Sequence, residues 1–201
     1  MAKLKAPLFS LGASQQLGKA LVFFGWKGLN VVREYVVPAN PRTTAQTTQR
    51  GYLTDIVDKI HFAQGSTTHP LTAIDTIAYA LWASVVQPAT TWFNQCVRNG
   101  IDQLVAGLRE CIFSGGVTTP GADQLTVEVW SLFIAPTAGV FRYGTSKTAL
   151  INSIASTPVG GSNAAIITGL TTGVKYFWQF VPSAPASVVG AKSGIYYGVA
   201  G

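Results

Sequence analysis

Ser114-Gly-Gly-Val-Thr-Thr-Pro-Gly121 separates two regimes of hydropathy in this sequence. Upstream, apolar residues recur with a period near 3.6; downstream they alternate with a period of 2, the signatures of amphipathic helix and half-buried strand. Glycine, threonine and proline together read as a linker. A domain boundary is therefore expected there, with one domain over 1–115 and another over 118–201. Downstream, Leu125-Thr-Val127-Glu-Val129 and residues 140–143, 149–154, 164–168, 174–181 and 195–199 read as six strands, separated by turn residues at the spacing of a β-sandwich.

Within that half, Ala165-Ile-Ile-Thr-Gly-Leu-Thr-Thr-Gly-Val-Lys-Tyr176 resembles the fibronectin type III family, whose sixth strand follows a Leu-x-x-Gly-x-x-Tyr signature. The resemblance covers about 118–201 and assigns Leu170, Gly173 and Tyr176 to a tyrosine corner, in which the phenol bonds to backbone upstream. Phe141-Arg-Tyr-Gly-Thr145 is similar to the family's third strand and following turn. Trp130 departs from the pattern: it lies one residue out of phase with Leu125, Val127 and Val129, so either a bulge restores the phase or the ring faces outward. The loop 182–194 contains no Arg-Gly-Asp, which leaves integrin-type adhesion unsupported.

Upstream, residues 19–37 read as a β-hairpin turning at Lys27-Gly28, with apolar residues on both faces of its arms. Two strands alone are marginal, so this ribbon needs a further surface from its own chain or a neighbour. Asn40 suits a helix N-cap and Pro41 the first helical position. Tyr52, Leu53, Ile56, Val57 and Ile60 form one helical stripe; Ile74, Ile77, Ala78, Leu81, Trp82 and Val85 form a second, opened by Thr72-x-x-Asp75. A third helix, about 90–112, carries Phe93, Val97, Leu104, Leu108 and Ile112, interrupted by Gly100 and Gly107. The fold class expected is α+β: a β-hairpin and helical domain followed by a fibronectin type III-like sandwich.

The stretch Gly25-Trp-Lys-Gly-Leu-Asn-Val-Val-Arg33, with Val37-Pro-Ala-Asn-Pro-Arg-Thr43 and Gln46-x-x-Gln-Arg50, resembles the opening of uncharacterised phage and prophage proteins. These begin with a Trp-Lys-Gly turn, a Val-Val-Arg strand and a Pro-x-x-Gln-x-x-Arg-like helix start. The likeness covers roughly 60 residues and implies a virion or tail component rather than an enzyme.

Charge is sparse and unevenly placed. Only 11% of the 201 residues are charged, against roughly 25% in an ordinary soluble domain. The net charge of +6 resides in residues 1–50, where Lys3, Lys5, Lys19, Lys27, Arg33, Arg42 and Arg50 face the single acid Glu34. These seven are candidate anion contacts for phosphate, an anionic surface or an acidic patch on a neighbouring subunit. Phe23, Phe24, Trp26, Tyr35 and Val37 are the candidate subunit-interface residues, on the reading that they pack rather than stack on bases.

Cys96 and Cys111 are expected as two unpaired buried thiols, with one disulfide as the alternative. His61 and His69 lack the companions of a zinc site, and neither a Gly-x-Ser-x-Gly elbow nor a Gly-x-x-x-x-Gly-Lys-Ser/Thr loop is present. No catalytic residue, metal or cofactor is expected, and the apolar run 20–26 is too short to insert in a membrane. The function expected is that of a self-assembling structural protein of a phage-like virion, as capsid, tail or filament subunit, whose partners are copies of itself and other virion proteins. The alternatives are a secreted or surface module that recognises glycan or receptor through its sandwich loops, and a protein that packages nucleic acid with its basic first 50 residues.

Overall fold

Lys27 and Gly28 both take positive φ, 49° and 75°, and close a two-residue turn between β3 (Leu21–Trp26) and β4 (Leu29–Glu34). Paired positive φ values give a type I′ turn, whose twist matches that of the strands it joins. The computed structural model describes residues 2–4, 15–37, 39, 40, 42–86 and 88–201. In it the chain divides into two units, Met1–Thr43 and Thr44–Gly201. In the first, the hairpin is the central pair of a four-stranded antiparallel sheet ordered β1-β4-β3-β2, flanked by β1 (Ala2–Leu4) and β2 (Gln15–Leu17). The support that two strands require at their edges thus comes from their own chain. Phe23 and Val31, on opposite faces by their register, are both buried.

The second unit opens with three helices, α1 (Thr44–Gly65), α2 (Ala73–Val85) and α3 (Trp92–Val105). The first begins at Thr44 rather than at the expected Pro41, which lies outside the described residues. Gly100 sits within α3 without interrupting it. The end of α3 comes earlier than expected: Gly107 N–H donates to Leu104 and Leu108 N–H to Gln103, a Schellman pair that caps the last carbonyls. Ile112 accordingly belongs to a strand.

Eight strands follow: β5 (Ile112–Gly121), β6 (Gln124–Leu132), β7 (Ala138–Gly144), β8 (Asn152–Ala155), β9 (Thr157–Val159), β10 (Ser162–Thr168), β11 (Lys175–Ala184) and β12 (Tyr196–Val199). They form two antiparallel sheets, ordered β5-β6-β10-β9 and β12-β11-β7-β8. Phe113, Leu125, Val127 and Ile167 of one sheet and Phe141, Trp178 and Phe180 of the other enter a common core. Helices and antiparallel sheets within one chain make the fold class α+β.

The boundary expected between 115 and 118 falls inside β5. Ser114 pairs with Trp130 and Val117 with Glu128, so Gly115 and Gly116 together oppose Val129 as a bulge. Glycines that read as a linker are in fact the kink of a ten-residue strand. The helices therefore belong to the unit that carries the sandwich, and the break in the chain lies at Thr43/Thr44.

Trp130 keeps its outward phase on β6 and is half-buried, stacked on His69 at 3.6 Å between ring centroids. The core tryptophan is Trp178 on β11 instead. Its ring stacks on Tyr196 at 4.5 Å and meets Phe141 edge-on, and its Nε1 donates to Thr118 Oγ1 at 2.9 Å.

Candidate functional site

Asp75 opens α2 as its sequence position implies, accepting from the backbone N–H and the hydroxyl of Thr72, each at 2.8 Å. Its burial is complete, however. The other carboxylate oxygen accepts from Gly116 N–H at 3.1 Å and from the Tyr196 hydroxyl at 2.8 Å. Gly116 has an N–H to offer because the bulge removes it from the ladder. A buried carboxylate is tolerable only when donors replace its water, and here four do. Four residues further along α2, the Tyr79 hydroxyl donates to the Phe113 carbonyl at 3.2 Å and accepts from the Phe113 N–H at 3.1 Å. Burial first, then the charge of Asp75, pushes the Tyr196 phenol well above its ordinary value; burial does the same to Tyr79.

This polar docking turns α2 about its axis relative to the apolar stripe. Asp75, Ala78, Tyr79, Trp82 and Ala83 face inward, while Ile74 and Ile77 remain 61% and 52% exposed. With Leu81, Val117 of β5 and Tyr197 of β12 they line an open groove of about 340 Å³ between the helix and the neighbouring strands. Hydropathy periodicity places Ile74 and Ile77 in the core and misses this groove. No local signal points to it, since Asp75 in Thr72-x-x-Asp75 reads as an ordinary helix-opening carboxylate.

The expected interface residues fall into different environments. Phe23 is 8% exposed, so it is unavailable to a neighbour. Phe24 and Tyr35 are half-buried, whereas Trp26 and Val37 are 51% and 72% exposed. Among the candidate anion contacts, Lys19, Lys27, Arg33 and Arg42 are exposed positions of the first unit, and Arg50 belongs to α1 of the second. Lys3 is placed as a residue of β1, and Lys5 lies outside the described residues. The fold brings four of these residues together: Lys27 Nζ stands 5.2 Å from the Trp26 ring centroid and Arg33 Cζ 5.5 Å from that of Phe24.

At the far end of the sandwich, the Thr171 N–H donates to the Tyr176 hydroxyl at 3.1 Å, Leu170 is buried and Gly173 adopts φ +79°. The loop 182–194 is partly inward-facing: Val188, Ala191 and Ser193 are fully buried, while Val189 and Lys192 are exposed. Gln103 of α3 pins it, oriented so that its nitrogen donates to Val189 O and its oxygen accepts from Ala191 N–H, both at 3.3 Å.

Both cysteines are free and buried. Burial, opposed in part by a hydrogen bond to Ser131, pushes the Cys111 thiol up to about 12, and burial raises Cys96 as well. His61 is exposed beside Phe93, and His69 is committed to its stack on Trp130. Among the described residues no cluster of three or more His, Cys, Asp or Glu side chains is placed to hold a metal ion, and no helix is long and apolar enough to cross a membrane. Comparison with protein-family models, with curated proteins and with solved structures finds no match to this chain.

Proposed function

We propose that this chain is a self-assembling structural protein of a phage-like virion, a capsid, tail or filament subunit whose partners are copies of itself and other virion proteins. The observation that carries the reading is the apolar groove along Ile74, Ile77, Val117 and Tyr197, on a chain with only 11% charged residues. Isolated exposed apolar residues are ordinary, but a contiguous patch on a weakly charged surface is a place for another polypeptide. Exposed Trp26, Val36 and Val37 offer a second such surface on the first unit.

The sandwich is read as fibronectin type III-like. Its sheet order, with Tyr176 of β11 bonded back to the preceding turn at Thr171, supports this. A recognition module working through the 182–194 loop has less support, because Val188, Ala191 and Ser193 of the loop are spent on its own domain. Negative-stain microscopy of the purified full chain tests the assembly reading. Rings, tubes or shells of regular size are the expected result, and a field of single small particles at every concentration overturns it.

A further inference from the structure

Phe24 and Trp26 alternate onto the face of β3 that is opposite Phe23, and their cross-strand partners by register are Val31 and Leu29; Trp26 and Leu29 are exposed on it, whereas Phe24 is half-buried and Val31 buried. One row beyond Phe24, Arg33 pairs with Val22 on that same face, and Lys27 follows Trp26 at the turn. The order along the ladder is therefore cation, aromatic, aromatic, cation, with the Val22 and Trp26 rows about 13 Å apart at a rise of ~3.3 Å per residue. Each ring has a cation within reach, at 5.2 Å for Lys27 on Trp26 and 5.5 Å for Arg33 on Phe24.

The charge of the unit that carries this face is one-sided. The unit Met1–Thr43 holds six bases and one acid, a net +5, and leaves +1 for the remaining 158 residues. Among the described residues, no carboxylate forms an ion pair with Lys19, Lys27, Arg33 or Arg42; the ion pairs of Lys59 with Asp55 and Glu110 belong to the second unit.

We propose that this sheet face binds single-stranded nucleic acid, with bases against Phe24 and Trp26 and phosphates neutralised by Lys27, Arg33 and the exposed Lys19 and Arg42. A single strand presents both complements at once, a π-face on every base and a charge on every linkage. A duplex buries its bases in the stack, an anionic lipid surface answers the charge but offers no ring to stack, and an acidic protein does not carry a ring with every charge. The inference shares Trp26 with the second apolar surface proposed for assembly but does not use the groove on α2.

Fluorescence anisotropy of the full chain with labelled oligothymidylate tests it, with a labelled duplex and phosphatidylserine vesicles as separate arms. Four neutralised phosphates on a single strand predict a slope of log affinity against log salt of about −3. Lys27→Gln with Arg33→Gln is expected to flatten that slope by roughly 1 to 1.5, and Trp26→Ala to weaken binding roughly ten-fold without changing the slope. Circular dichroism establishes that each variant is folded, and Lys19→Gln, on an exposed turn, gives an independent reduction in slope. No binding at low salt, a preference for duplex or vesicles, or affinity unchanged in folded variants overturns the proposal.

Discussion

The Tyr196 hydroxyl donates to Asp75 Oδ1 at 2.8 Å, joining residues 121 positions apart in the chain. The same carboxylate holds the first turn of α2 through Thr72 and the bulge of β5 through Gly116, so one buried side chain ties three elements. It also settles which face of α2 is turned outward, and through that the groove.

Removing either partner is expected to be costly. Tyr196→Phe deletes one hydrogen bond to a buried carboxylate, for an expected loss of about 1.5 to 3 kcal/mol. Asp75→Ala strands the Gly116 N–H and the Tyr196 hydroxyl in a buried site, and a loss of about 3 kcal/mol or more is expected. Urea unfolding checks both, and wild-type midpoints in both variants would contradict the buried anchor.

The same junction requires a bare backbone at one point. A Cβ at Gly116 would stand 2.1 Å from Tyr196 Cε1, on a ring held by its bond to Asp75 and its stack on Trp178. Gly116→Ala is expected to cost about 1 to 3 kcal/mol, the range for overpacking a core. Gly65→Ala, where a Cβ meets only open space, is expected to stay within about 0.5 kcal/mol of the parent. Thermal melts of the two variants make the comparison, and equal melting temperatures would contradict the close packing at β5.

The parts of the fold that were legible in the sequence are those governed by local rules. The Lys27-Gly28 turn, the Thr72-x-x-Asp75 helix start, the alternation along β6 and the Leu170, Gly173, Tyr176 corner each depend on residues near in sequence. Where long-range contacts decided, local signals pointed elsewhere. Ser114 to Gly121 looks like a linker because a bulge takes the same glycines. The stripe of Ile74 and Ile77 looks like core because hydropathy cannot foresee that Tyr196 will solvate Asp75. At the candidate site, the exposed cations were legible as charge, while the burial of Phe23 on one face and Val31 on the other was not, because alternation cannot say which position along a face is covered.

The thiols set a pH limit on stability. In the unfolded chain a cysteine ionises near 8.5, whereas folded Cys111 does so only at about 12 and Cys96 is raised too. The stability held by these protons is full below about 8.5 and is lost as pH rises toward the folded values, at roughly 1.4 kcal/mol per pH unit for each thiol. Tyr79 and Tyr196 add to the decline with the same sign above about 10. Urea unfolding between pH 8 and 11 is expected to show that fall, shallower in Cys111→Ala. A stability that rises over this interval would contradict the buried, protonated thiols.

A charge placed in the groove separates folding from association. Ile77 is half exposed, so Ile77→Asp is expected to shift the unfolding free energy by about 0.5 kcal/mol or less while weakening self-association by an order of magnitude or more. Light scattering against concentration reads the second effect, and undiminished association in the folded variant would remove the groove from the contact.

Sedimentation velocity of the full chain over a concentration series, at salt high enough to release nucleic acid, tests most directly whether the chain associates with itself. Assembly through apolar surface predicts species well above the 21.2 kDa of one chain, growing with concentration and persisting in salt. A single boundary at the mass of one chain throughout the series would contradict it.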